Sequence, residues 1–259
     1  MEPAVEILMR IRKMCRENKE NTNIVEPSYN CPICKDAGSV PIDGNRHGNG
    51  PWVLCKCTID KINRERIKNS GLADVLARYT MEAYQAKETW QQTIKEMAEA
   101  YINRPDGWFF IGGQSGSGKS HICTAICNEF MNAGKSVRYM PWVEENTRLK
   151  SCRNNEEEYN SRINPWKKAE VLYIDDFFKT RQGAAVTGAD VMTAYEILNY
   201  RYIQNGCITL ISTELSCDDI LDIDMAIGGR IIEKTRGNMI FLSGTDKNQR
   251  LKACNIEVV

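Results

Sequence analysis

The residues Gly113-Gln114-Ser115-Gly116-Ser117-Gly118-Lys119-Ser120 carry the strongest chemical signal in this chain. Their glycines let the backbone wind so that several N–H groups point at one anion. A helical stretch, His121–Phe130, follows directly and adds its partial positive charge. At this spacing Lys119 reaches the β- and γ-phosphates of a nucleotide, and the Ser120 hydroxyl ligates Mg²⁺. The expected phosphate-binding set runs from Gly113 through His121, and ATP is the expected nucleotide.

A second half of such a site stands at Asp175-Asp176, after the apolar run Val171-Leu172-Tyr173-Ile174. Parallel α/β sheets bind ligands at the carboxyl ends of their strands. Asp175 is the better candidate to hold Mg²⁺ through water, and Asp176 to polarise the attacking water.

A third constellation is Cys31-Pro32-Ile33-Cys34 with Cys55-Lys56-Cys57, two close pairs separated by 20 residues. Paired thiolates on tight turns suit one tetrahedral Zn²⁺. The second pair is Cys-x-Cys, a departure from the commonest ribbon spacing. His47 lies between the pairs and is an alternative fourth ligand. Cys123 and Cys127, at i and i+4, read as small core residues.

The elements that must position these groups alternate. Apolar runs at Trp108–Ile111, Ser136–Met140, Val171–Ile174, Ile208–Ser212 and Asn238–Leu242 are separated mostly by helical patterns, which predicts a parallel five-stranded sheet with helices on both faces. Upstream, residues 2–19 have near-helical apolar spacing at Val5, Ile7, Leu8, Ile11 and Met14. Residues 21–57 are rich in Asn, Gly, Pro and Cys. Helices are expected over 58–69 and 81–103, with a turn at Pro105-Asp106-Gly107.

Composition sets bounds. The 259 residues suffice for one α/β domain and a small module, expected as 71–259 and 1–70. Formal net charge is zero, so nucleic-acid binding has only local patches to rest on. Such patches are Arg230, Lys234, Arg236, Lys247, Arg250 and Lys252, and Arg148, Lys150 and Arg153 near Trp142. Charges beside aromatic platforms suit single-stranded DNA, and ordinary solvated faces are the alternative. An odd count of 11 cysteines in a chain this large argues against a disulfide scaffold. With no apolar run near 18 residues and no signal-like start, a cytoplasmic chain with no membrane partner is expected.

The region 78–252 resembles the bacterial and phage helicase loaders (DnaC/DnaI-like), a clade of AAA+ ATPases. Its most specific segment is Ile197-Leu198-Asn199-Tyr200-Arg201-Tyr202, similar to their hinge helix, ahead of Ile208–Ile211 and Ser212-Thr213. The resemblance implies a γ-phosphate sensor at Thr213, beside Ser212. Many loaders carry Asn next, where this chain has Glu214. Gly228-Gly229-Arg230-Ile231-Ile232-Glu233-Lys234 resembles the arginine-finger helix, which implies that Arg230 reaches the ATP of a neighbouring copy. Arg250 is the nearest match to a second sensor, with a plain surface charge as the alternative. The Cys module resembles that of phage and Firmicute loader-like proteins.

The family implies an ATPase that self-associates when ATP is bound, contacts single-stranded DNA and docks on a hexameric replicative DNA helicase. A transposition helper of the IstB type shares nearly the same core. A small-molecule kinase needs an arginine-rich lid that the sequence does not display. A non-hydrolysing scaffold leaves Lys119, Ser120, Asp175 and Asp176 without purpose.

Overall fold

The computed structural model describes residues 29–42, 44, 50–59, 61–62, 65, 72–76, 78–180, 184–204, 206–244 and 246–250. The helix expected over 2–19, His47 and Lys252 lie outside them. The chain divides into two compact units, Met1–Thr58 and Ile59–Val259.

In the first unit, β1 (Ser39–Pro41) pairs antiparallel with β2 (Trp52–Leu54). The turn after Cys34 places Lys35 and Asp36 at φ 53 and 63°, a left-handed conformation that side chains other than Gly rarely adopt. The Asp36 carboxylate holds that turn by accepting from the Cys31 N–H at 2.9 Å.

The second unit is an α/β sandwich. Its strands are β3 (Phe109–Gly113), β4 (Val137–Pro141), β5 (Val171–Asp175), β6 (Ile208–Ser212) and β7 (Met239–Leu242). They form one sheet in the order β4-β5-β6-β3-β7, every pairing parallel. The helices are α1 (Ala73–Leu76), α2 (Thr89–Asn103), α3 (Lys119–Asn132), α4 (Trp142–Ser151), α5 (Glu156–Lys167), α6 (Gly188–Ile203), α7 (Cys217–Ile223) and α8 (Met225–Lys234).

The inner strands β3, β5 and β6 are covered on both faces, which is why they read as nearly continuous apolar runs. Period-two alternation sends Phe109 and Ile111 of β3 into the core under α2 and α3, with Ile94, Tyr101 and Ile126. Phe110 faces the other core, with Ile174, Ile197, Leu198 and Ile231. Cys123 and Cys127 are fully buried core residues, as their spacing predicts.

The helix expected over 81–103 begins only at Thr89. The Gln91 side chain accepts from the Lys87 and Glu88 N–H groups, both at 2.9 Å, and so closes the helix start eight residues late. Of the helix expected over 58–69, residues 58, 59, 61, 62 and 65 are described and helical.

Candidate functional site

The loop between β3 and α3 lies at the carboxyl end of the sheet. Gly113 and Gly118 adopt φ 121 and 88°, and a Cβ on Gly113 would stand 2.4 Å from the Leu242 carbonyl oxygen. Glycine is required there, by conformation and by space. Gly118 caps α3, so the free N–H groups of that helix face the loop's concavity.

Lys119 is 6% exposed, and its ammonium donates to the carbonyls of Gly113 at 2.6 Å and Gln114 at 2.7 Å. Burial lowers its pKa, against the pull of the Glu214 and Asp176 carboxylates. The Ser117 hydroxyl ties the loop further by donating to the Gln114 carbonyl at 2.8 Å.

Asp175, at the end of β5, meets this loop. Its Oδ1 accepts from Ser120 Oγ at 3.1 Å, from the Tyr173 hydroxyl at 2.7 Å and from the Ser212 hydroxyl. Its Oδ2 accepts from the Tyr139 hydroxyl at 3.0 Å. Burial, and then the Asp175 charge, push both phenols up, so they remain protonated donors. The side-chain oxygens of Ser120 and Asp175, side by side, fit a hard cation such as Mg²⁺.

Asp176 begins a strained turn. It adopts φ 54° and Phe178 φ 58°, each at a cost of about 1–3 kcal/mol. Phe177 and Phe178 hold the turn by packing against Trp142, with ring centroids 5.1 and 5.6 Å away. The result turns Lys179 back to donate to Asp176 at 3.1 Å and to Glu214 at 3.0 Å.

These residues line a cavity of about 230 Å³ that includes Ser115, Gly116, Lys119, Ser120, His121, Asp176, Lys179, Glu214 and Arg250. Tyr79 closes one side, its ring stacked on His121 at 4.9 Å. The His121 ring also hydrogen-bonds the Thr80 carbonyl at 3.0 Å. The segment 246–250 docks on the loop: Lys247 N–H donates to Gln114 Oε1 at 3.1 Å, and Gln249 N–H to the Gly116 carbonyl at 3.0 Å. Arg250 therefore belongs to the cavity wall.

Other expected residues sit differently. The Thr213 hydroxyl donates to the Phe177 carbonyl at 2.7 Å and accepts from the Leu215 N–H at 3.1 Å. It is fully buried with both roles used, and the hydroxyl that meets the acidic pair is that of Ser212. Arg230 lies over the rings of Tyr195 and Tyr202 on α6, at 5.0 and 5.4 Å, and donates to the Ala226 carbonyl. It is folded against its own chain.

Trp142 is 2% exposed and offers no face to a base. Around it, Arg148 pairs with Glu145, Lys150 with Asp190, and Arg153 stacks on Tyr159. Proximity in sequence suggested a patch, and each cation has a partner instead.

Sequence reasoning missed Tyr139, Tyr173, Tyr79 and Lys179. Only the i, i+3 spacing of Asp176 and Lys179 was a signal available beforehand.

In the first unit, the Sγ atoms of Cys31, Cys34, Cys55 and Cys57 all lie within 4.8 Å of one another. The closest approaches are 3.8 Å for Cys31 to Cys55 and 3.5 Å for Cys34 to Cys57. Zn–S bonds of ~2.3 Å in a tetrahedron place sulfurs ~3.8 Å apart, so the donors fit one zinc ion. The Cys34 N–H lowers the Cys31 thiol to about 7. The Cys34 side chain, foremost, pushes Cys57 up to about 12. Thiols this close cannot all ionise without a cation among them.

Comparisons with known proteins agree with the geometry. Residues 54–219 match the family model for IstB-like ATP binding protein. The chain is 30% identical over 237 residues to the phage-like element PBSX protein XkdC of Bacillus subtilis (strain 168), covering 86% of this chain and 87% of that one. It is 23% identical over 180 residues to the replicative helicase loader DnaC of Escherichia coli (strain K12), covering 67% and 69%. The crystal structure of the DnaC helicase loader superposes with a TM-score of 0.56 at 17% identity, over 65% of this chain and 98% of that one.

Proposed function

We propose that this chain, which belongs to the IstB-like ATP binding protein family, delivers a hexameric replicative helicase to single-stranded DNA under the control of ATP. Family and fold make it an ATP-binding AAA+ protein of the helicase-loader type. Hydrolysis, docking and DNA contact are our reading.

The observation that carries it is the closed circuit at the sheet's carboxyl end. Lys119 is buried under the loop, Ser120 is 3.1 Å from Asp175, and Asp176 follows at the cavity wall. Lys119 and the N–H groups of the loop hold the phosphates. A magnesium ion on Ser120 and Asp175 would neutralise charge on the β- and γ-phosphates. Asp176 takes the proton of the attacking water as its oxygen bonds to the γ-phosphorus, and ADP leaves with the electron pair of the broken P–O bond. Ser212 and the two tyrosines fix the Asp175 carboxylate for this work. Arg230 leaves its tyrosines to reach the ATP of a neighbouring copy when the ATP-bound protein self-associates.

We assign the ATPase role to residues 71–259 and the docking role to 1–70, where zinc on the four cysteines rigidifies a platform for the helicase. Single-stranded DNA follows Lys234 and Arg236, which with Lys135 line a cavity of about 590 Å³ at the other end of the sheet. No helix among the described residues is long and apolar enough to cross a membrane, and we place the protein in the cytoplasm with its helicase.

The test is a pull-down of the full chain against the replicative helicase of its host or phage, with and without ATP. Retention that is lost on removing residues 1–70 supports the loader. No retention in either condition points to a transposition helper, the role that the IstB resemblance carries, with the transposase as the next bait.

A further inference from the structure

Lys179 stands between two carboxylates from different strand ends: Asp176, after β5, and Glu214, after β6. Its ammonium donates to both, at 3.1 and 3.0 Å. The three groups line the phosphate cavity together. Lys119, the other lysine of that wall, is committed to the carbonyls of Gly113 and Gln114.

The position of Lys179 is built in. Its N–H donates to the Asp176 carbonyl at 2.9 Å, closing the strained turn that Phe177 and Phe178 anchor in the core. Its side chain is 39% exposed, on the cavity side of the turn. Burial works against its charge, yet the Glu214 and Asp176 carboxylates prevail and raise its pKa. Burial raises the Glu214 carboxyl, and Lys179 beside it outweighs that and holds it below its ordinary range.

A terminal phosphate brings negative charge into a cavity already lined by two carboxylates. That repulsion is relieved when the shared ammonium turns to the phosphate. We propose that Lys179 and Glu214 form a γ-phosphate-sensitive latch on Asp176. The Lys179 ammonium leaves Asp176 for the γ-phosphate of ATP and so frees the base, and Glu214 sets how firmly that ammonium is held back. The diphosphate does not reach the latch and leaves it closed. This rests on the reading of the cavity as an ATPase site. It also gives Glu214, which stands where many loaders carry Asn, a task shared with a lysine.

The test is titration of the full chain with fluorescent ATP and ADP analogues, alongside steady-state phosphate release. Lys179→Ala should weaken ATP binding roughly tenfold, the worth of one charged hydrogen bond, and ADP binding by less than about threefold. Glu214→Gln should tighten ATP relative to ADP. The double variant should bind ATP no more tightly than Lys179→Ala, because Glu214 acts through the Lys179 ammonium and the two effects are therefore non-additive. Lys179→Arg, which keeps the charge, should keep the preference for ATP. Equal losses for ATP and ADP in Lys179→Ala, or strict additivity in the double variant, would overturn the latch alone. Wild-type protein that binds neither nucleotide would sink the ATP reading and the latch with it.

Discussion

Ser120 Oγ lies 3.1 Å from Asp175 Oδ1, joining the glycine loop to the end of β5 across 55 residues of chain. That contact brings a hydroxyl and a carboxylate to one point, as a magnesium nucleotide requires. The strand order puts it there. β3 and β5 flank β6, and Ser212 of β6 completes the contact from between them.

Asp176→Asn should retain ATP binding and lose at least ~100-fold in phosphate release, the usual worth of a positioned base. Lys119→Ala should weaken binding as well, since it removes the cation under the loop. Unchanged phosphate release in both variants would falsify the assigned site.

The mixing of inactive subunits probes Arg230. If its guanidinium works on the ATP of a neighbouring copy, Arg230→Ala and Asp176→Asn chains should recover activity together, because one supplies an intact base and the other an intact finger. No recovery over a wide range of concentrations and ratios counts against action between copies.

Elemental analysis should find near one zinc per chain. Cys31→Ser with Cys34→Ser should abolish it, leaving two thiolates where four are needed. Full metal occupancy in that variant would refute the cluster as the site.

Arg201 is fully buried in α6, and its guanidinium donates to Thr209 Oγ1 at 2.9 Å and to the carbonyls of Ala169 and Ile208, both at 2.6 Å. Burial lowers its pKa to about 10, and it remains charged at neutral pH. It ties the end of α5 to β6 at the sheet end opposite the phosphate loop. Arg201→Met strands those carbonyls, at about 1–3 kcal/mol for each group left unsatisfied, and should show as a lower denaturation midpoint.

Asp190 accepts from Lys150 and Asn146, both at 2.6 Å, and caps α6 through Thr187. Burial raises its pKa, but Lys150, Thr187 and Asn146 outweigh it and hold the carboxyl at about 2, below its ordinary 3.8. The stabilisation it gives is therefore full above about pH 4 and is lost as pH falls toward 2. Asp190→Asn should flatten acid denaturation in that window, and an unchanged acid limb would remove Asp190 from the account.

Local chemistry was legible in the sequence because it is local in the chain. A phosphate loop is made by consecutive residues between a strand and a helix, so Gly113 to Ser120 announce themselves. A strand buried on both faces is a run of apolar residues wherever it sits, so β3, β5 and β6 were placed, and the edge strands β4 and β7 keep enough apolar residues to be placed with them. Cysteines paired on short turns show as spacing, so Cys31, Cys34, Cys55 and Cys57 stood out. Tertiary structure alone decided which hydroxyl of Ser212 and Thr213 meets Asp175, since that depends on the register of β5 against β6. It decided that Trp142 is core and that Lys150 belongs to Asp190, 40 residues away. It also brought Lys179 to Glu214 and residues 246–250 onto the loop, contacts whose partners lie far apart in sequence and meet only when the parallel sheet aligns the carboxyl ends of its strands.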